Sequence, residues 1–338
     1  MKKNKLLICP VFIPHEGCPY RCVFCSQGDI TGSRFKADKD NILNALDTYL
    51  TPAINSDRFA RRELAFYGGS FTGLSEERQE FLLSIVKPFI EEGRIDAIRV
   101  STHPFFIDQK RLTRLKAYGV EIVELGVQST NQEVLEESGR PCTMKSLLNA
   151  VSLITKFKFK LGIQLMLGLP GDNEKRFKTS VANVICIAPD FVRLYPALVL
   201  RHTQLYLMYQ KGLYVPWSMK RTLNALKGAV KSLVNADIPV IRVGLQPDSS
   251  LIDNLIAGPF HPSLRYLVDC QIGFECMVDK IRALSSIPKR IFFKVPKNSI
   301  SIYTGNRREN LRLLKEQFGL EEVRLRGEES CSQLELVV

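Results

Sequence analysis

Cys18, Cys22 and Cys25 stand in a C-x3-C-x2-C arrangement inside GCPYRCVFC (17–25). Thiolates this close together suit three irons of a four-iron, four-sulfur cluster, and no fourth protein ligand is supplied nearby. Clusters are ordinarily closed by four thiolates, so the remaining iron would offer an open site for chemistry. The spacing alone also admits a zinc site, with His15 as the fourth ligand, or an ordinary cluster. The other cysteines (Cys9, Cys142, Cys186, Cys270, Cys276 and Cys331) are scattered and are read as small buried hydrophobes, with Cys270 and Cys276 the only near pair. Nine cysteines, an odd count without framework spacing, argue against a disulfide-built secreted protein and for a reducing, cytoplasmic location.

A site on a loop needs elements to hold it. Short apolar runs at 5–13, 63–67, 97–101, 121–127, 160–167 and 191–195 read as strands buried on both faces of a parallel sheet. Amphipathic patterns at 38–50, 75–91, 108–118, 143–156 and 173–187 read as the helices between them. Ser75 is placed to cap the second helix, whose start carries Glu76 and Glu77, and Gly119 to close the third. Alternation of this kind implies right-handed crossovers. The expected fold is α/β: a partial (β/α)6 TIM-like barrel with a small C-terminal α/β extension. Sites in such barrels lie at the C-terminal ends of the strands. The unusual motifs all fall there: the cysteine loop, GGSFTG (68–73), THP (102–104), Gln128-Ser129 and GLPG (168–171).

The expected domains are a core over 1–237 and an extension over 238–338. Within the latter, 238–247 reads as another strand and turn, and 289–319 as strand, turn and helix. Lys289, Arg290, Lys294, Lys297, Arg307 and Arg308 make that segment basic, a candidate for substrate recognition. The chain has 338 residues, 45% hydrophobic and 24% charged, enough for a sizeable core. The net charge of +12 favours polyanionic partners, RNA and DNA among them, although an ordinary soluble surface can carry it too. No apolar run approaches the ~18 residues of a membrane helix, so no membrane association is expected. The N-terminal MKKNKLLICPVFIP is interrupted by Pro10 and lacks a cleavage site, so it reads as a strand rather than a signal peptide.

Several motifs together resemble the radical S-adenosylmethionine (SAM) superfamily. They are HEGCPYRCVFCSQ, FYGGSFTGL (66–74), VELGVQSTNQEVLEESGR (123–140) and LGIQLMLGLPGD (161–172), in that order. The later two are similar to the branch that contains the radical subunit of Elongator and oxygen-independent coproporphyrinogen oxidase. VRLYPALVLRHTQLYLMYQKGLY (192–214) is closest to the Elongator subunit. The likeness covers roughly residues 5–265, and nothing after it resembles the acetyltransferase domain or an acyl-CoA site. Ordered motifs are far more specific than any one of them.

The resemblance implies a [4Fe-4S] cluster on Cys18, Cys22 and Cys25, with SAM bound through its amino and carboxylate groups to the open iron. Reductive cleavage of SAM would yield a 5′-deoxyadenosyl radical that abstracts hydrogen from substrate. By the same resemblance Phe24 contacts the adenine, while Gly68 and Gly69 admit the methionine end. Ser70, where many members carry Glu, makes backbone contacts. Gln128 and Arg140 meet the ribose and carboxylate, Gln164 stands where that branch has Asp, and Met166 and Tyr195 line the adenine side. His103, where the Elongator-like pattern has Arg, faces the site or serves its own loop. His202 and His261 are assigned only to the substrate side.

The function expected is hydrogen abstraction from an unidentified substrate, RNA being the first class to test. A reductant such as flavodoxin or ferredoxin is implied by the family. The alternatives are a non-catalytic, redox-responsive iron–sulfur protein that binds nucleic acid, and a zinc-stabilised RNA-binding domain.

Overall fold

A computed structural model of the chain describes residues 5–13, 16–25, 37–54 and 59–337. His15 lies outside these residues, so the Cys3His zinc reading is not addressed by them.

The strands of the first unit are β1 (Lys5–Phe12), β2 (Phe59–Tyr67), β3 (Ala97–Thr102), β4 (Val120–Gln128), β5 (Lys160–Leu167) and β6 (Phe191–Pro196). They are followed by the short β7 (Val199–Leu200), then β8 (Val240–Val243) and β9 (Leu255–Ala257). Among the described residues, seven of these form one parallel sheet in the order β1-β2-β3-β4-β5-β6-β8, curled into a half-barrel. β7 and β9 pair antiparallel. The helices between strands are α1 (Lys39–Ile54), α2 (Glu76–Glu91), α3 (Gln109–Ala117), α4 (Gln132–Glu137), α5 (Met144–Lys156), α6 (Glu174–Ile187), α7 (Gln204–Gln210) and α8 (Met219–Asn235).

Local chemistry sets the helix starts. Ser75, Asp108, Asn131, Thr143 and Asn173 each accept a backbone N–H three residues on, satisfying a donor that the helix itself cannot. Gly119 takes φ +79° beyond α3, as its placement predicts. The helices cover one face of the sheet, where Ile98, Val100, Val123, Leu125, Ile163, Leu165, Val192 and Leu194 are fully buried.

The other face departs from the apolar reading of the strands. Successive strands turn Glu63, Arg99, Glu124, Gln164 and Arg193 inward at alternate positions, all of them shielded from solvent to a large extent. Arg99 is held by Glu63 and Glu124, with Nη1 2.6 Å from Glu124 Oε1. Arg193 Nη2 donates to Tyr67 Oη at 2.6 Å, and its Nε lies 2.8 Å from Glu124 Oε2. Opposite charges in alternation let these groups leave water, because each finds a compensating partner.

The boundary expected at residue 237 runs differently. One compact unit comprises Met1–Ser218 with Leu233–Phe260, the other Met219–Ser232 with His261–Val338. The strand read at 238–247 is β8, and it joins the large sheet because the edge of β6 has backbone groups that need partners.

The second unit contains α10 (Leu264–Arg282), β10 (Arg290–Pro296), α12 (Glu309–Phe318), β11 (Glu322–Glu328) and β12 (Glu335–Val337), in addition to most of α8. The short α9 (Ser249–Asn254) lies in the first unit and α11 (Ile300–Thr304) in the second. Its sheet runs β11-β10-β12 over a core that includes Met277, Ile281, Phe293, Val295 and Leu314. This is the small α/β extension that the sequence implies.

Candidate functional site

The cysteine loop leaves β1 and is gripped by the loops that follow three other strands. Ser70 N–H donates to the Glu16 carbonyl at 3.1 Å. Val23 N–H donates to the Ser138 carbonyl at 3.0 Å, and the Val23 carbonyl accepts from Leu205 N–H at 2.7 Å. The Glu16 carboxylate is clasped by Arg78, with Nε to Oε2 at 2.8 Å and Nη2 to Oε1 at 3.0 Å. This fork was not foreseen from the sequence, where Arg78 stood only at a helix start.

The glycine motif explains itself by this packing. A Cβ on Gly69 would sit 2.6 Å from Ile13 O and 2.7 Å from Glu16 O, and one on Gly73 only 2.0 Å from Gly17 O. Any side chain at either position would push the cysteine loop away. Gly68 takes φ +83°, and its Cβ would approach Phe12 Cδ1 at 3.3 Å.

Arg140, just beyond α4, brings a buried charge to the cysteine loop. It is 8% exposed, its Nη1 reaches Cys22 Sγ at 3.5 Å, and its Nη2 donates to the Gly126 carbonyl. Its Nε is buried without a hydrogen-bond partner among the described residues. Gln128, at the end of β4, holds a left-handed φ of +69°, and its Oε1 is also buried and unpartnered. A non-glycine residue in that conformation with an orphaned acceptor is the kind of strain found at ligand sites. Phe24 and Met166 pack against the same cluster of Val134, Leu169 and Ala197, and Tyr195 is the register partner of Met166 on β6. The structure therefore brings Phe24, Met166 and Tyr195 to one side, and Gln128 and Arg140 near Gly126.

Two predicted residues are already engaged. Ser70 Oγ lies 3.1 Å from Thr102 Oγ1 and accepts from His103 N–H at 3.0 Å, while its N–H is spent on the Glu16 carbonyl and its carbonyl accepts from Gly73 N–H at 2.8 Å. Gln164 Nε2 donates to Glu124 Oε2 at 3.1 Å and to Ser101 Oγ at 3.3 Å, deeper in the half-barrel. His202 is exposed with φ +60°, and His261 Nδ1 accepts from Ser263 N–H in the turn before α10.

The three cysteines have the chemistry that a cluster asks for. Burial, then Cys22 and Cys18, push the Cys25 thiol up to about 12, while the Arg140 guanidinium opposes the shift. A bare Cys25 thiolate is therefore disfavoured until metal neutralises it. Among the described residues no group of three or more His, Cys, Asp and Glu is set to hold one metal ion. A cluster asks for something else, one thiolate on each of three separate irons. Of the scattered cysteines, Cys9, Cys142, Cys270 and Cys331 are buried as expected. Cys186 and Cys276 are exposed, a correction, because each faces outward on its helix.

Sequence reasoning missed the inward network of Glu63, Arg99, Glu124, Arg193 and Tyr67. The available signal was one charge at alternate positions of otherwise apolar strands.

A family model described as the Radical SAM superfamily matches residues 12–183, and one described as the Radical SAM C-terminal domain matches 189–272. A tRNA uridine(34) acetyltransferase of Methanocaldococcus jannaschii is 26% identical over 310 residues, 80% of this chain and 57% of that protein. The Heme chaperone HemW of Bacillus subtilis is 26% identical over 181 residues, 52% of this chain and 48% of that one. The chain thus spans about half the length of these curated relatives. The solved structure of Elp3 from Methanocaldococcus infernus, with an N-terminal deletion, superposes with a TM-score of 0.61 at 20% identity. The match covers 81% of this chain and 63% of that one, and shows a shared fold.

Proposed function

Because the chain belongs to the radical SAM superfamily, whose model spans just over half of it, we propose that Cys18, Cys22 and Cys25 hold a [4Fe-4S] cluster beside a SAM site, and that the enzyme abstracts hydrogen from an RNA substrate. Membership of an enzyme superfamily sets aside the non-catalytic reading. When bound, the cluster and SAM supply reductive cleavage of a sulfonium bond and a 5′-deoxyadenosyl radical that takes a hydrogen atom.

The chain's own residues have distinct tasks. Arg140 presents a planar fork whose Nε is still free of partners among the described residues, suited to the SAM carboxylate. Gln128 Oε1 offers an acceptor for a ribose hydroxyl. Phe24, Met166 and Tyr195 give the adenine an apolar wall. Gly68 and Gly69 keep the backbone close to the methionine end. Ser70 anchors the cysteine loop through its N–H on the Glu16 carbonyl, and Gln164 acts from below through Glu124. The observation that carries the reading is Arg140, touching Cys22 Sγ at 3.5 Å with an orphaned Nε. The test is spectroscopic: SAM should perturb the electron paramagnetic resonance of the reduced, reconstituted cluster. A spectrum indifferent to saturating SAM contradicts it.

RNA is supported by the tRNA-directed relatives and by the net charge of +12. The basic C-terminal segment supports it less than expected, since Arg290, Lys294 and Lys297 pair with Glu321, Glu328 and Glu329. A one-electron donor such as flavodoxin or ferredoxin is the partner this chemistry needs. Among the described residues no helix is long and apolar enough to cross a membrane.

A further inference from the structure

His103 follows β3 and caps the helical turn Pro104–Phe106. It is 3% exposed, and its Nδ1 accepts the N–H of Phe105 at 3.0 Å. A nitrogen that accepts carries no proton, so in the neutral ring the proton sits on Nε2. That Nε2–H is buried and has no hydrogen-bond partner among the described residues. The imidazole lies 5.1 Å, centroid to centroid, from the ring of Tyr20, which stands between Cys18 and Cys22. Phe106 lies 5.9 Å from the imidazole and 5.9 Å from the Tyr20 ring, so the three rings pack together. Arg140, which touches Cys22 Sγ, is close enough for its charge to disfavour a second proton on the ring.

Buried donors without acceptors are rare in folded proteins, and each calls for an explanation. Here the donor is fixed in orientation by its other nitrogen and is packed on the loop that carries the ligands. We propose that His103 Nε2–H donates a hydrogen bond to a sulfur of the iron–sulfur cluster and so raises its reduction potential. The inference rests on the proposed function. Its physical basis is that reduction adds negative charge to the cluster, so a donor to sulfur favours the reduced form more than the oxidised one. The donor eases electron entry, the step on which SAM cleavage depends.

Two substitutions separate the two nitrogens. His103→Asn keeps an acceptor where Nδ1 stood, able to serve Phe105 N–H, but removes the Nε2 donor. His103→Gln restores an N–H near the Nε2 position. Cluster-loaded full chains, without SAM, are titrated anaerobically and followed by the resonance of the reduced cluster. The midpoint potential should move to more negative values in H103N and return toward the parent in H103Q. If H103N stays folded but fails to hold the cluster, recovery in H103Q supports the donor and failure in both overturns it. Equal midpoints in all three proteins overturn the inference. So does an unchanged midpoint with weakened SAM binding, which would move the donor onto SAM. A parent chain that assembles no cluster would instead sink the proposed function itself.

Discussion

Arg140 concentrates the chemistry of the site in one side chain. Its guanidinium meets a cysteine sulfur and a strand carbonyl, and it keeps one nitrogen unspent. Lysine would keep the charge and lose the fork. Arg140→Lys should therefore weaken SAM binding by tenfold or more, about 1.4 kcal/mol, measured by titrating SAM against the cluster's resonance. An unchanged affinity would remove Arg140 from the site. His103 makes a separate prediction about pH. Burial, with Arg140, pushes its imidazole down to about 3 from an ordinary 6.5. Above pH 6.5 the ring is neutral in both the folded and the unfolded chain, so it adds no slope. Between 6.5 and 3 the unfolded chain takes up the proton first, so stability falls as pH falls, by up to about 1.4 kcal/mol per unit. H103N should lose this acid sensitivity, and the gap between the two urea midpoints should narrow or reverse from pH 7 to pH 5. Parallel pH dependence would contradict the assignment.

At the scale of elements, the site depends on backbones that touch. Gly69→Ala places a methyl within 2.6 Å of Ile13 O and 2.7 Å of Glu16 O, so the cysteine loop must shift. Overpacking of this sort costs typically 1–3 kcal/mol. We expect lower iron retention after reconstitution together with a lower thermal midpoint, and full iron content would argue against this packing role. The half-barrel interior yields a second prediction. Glu124 is fully buried and accepts from Arg99, Arg193, Tyr67 and Gln164. Removing its charge leaves the buried Arg193 without its carboxylate and Arg99 with Glu63 alone, so Glu124→Ala should destabilise the fold by about 3–5 kcal/mol in urea unfolding. These contacts also show where sequence reading stops. The strands and helices were legible because apolar periodicity and caps are local. The inward charges were not, since one Glu or Arg in a strand reads alike whether it meets water or a partner two strands away. The Glu16–Arg78 fork escaped for the same reason, its residues being far apart in sequence but adjacent in space.

For the whole molecule, the order of motifs along the chain was legible because each sits just after its strand, and the sheet brings those ends together. The proposed cofactor residues were singled out only through their register with the cysteines. Gln128 shows its unusual φ, and His103 its orphaned nitrogen, only once folded. Composition reads an edge at residue 237, whereas Leu233–Phe260 groups with the first compact unit, because the β6–β8 pairing skips a long helix, a non-local choice that composition does not encode. If phosphates dominate recognition of RNA by this basic chain, tRNA affinity should fall steeply between low and physiological salt. Affinity indifferent to salt, or no binding even at low salt, would remove RNA as the substrate class.

The central claim is that three cysteines and their polar neighbours form a site for reductive SAM cleavage. Its most direct test is the release of 5′-deoxyadenosine by anaerobic, cluster-loaded protein given dithionite and SAM. The account predicts accumulation of that nucleoside, and its loss when Cys18, Cys22 or Cys25 is replaced by alanine. Cluster-loaded protein that releases none, while a radical SAM enzyme of known activity does so alongside it, would contradict the account.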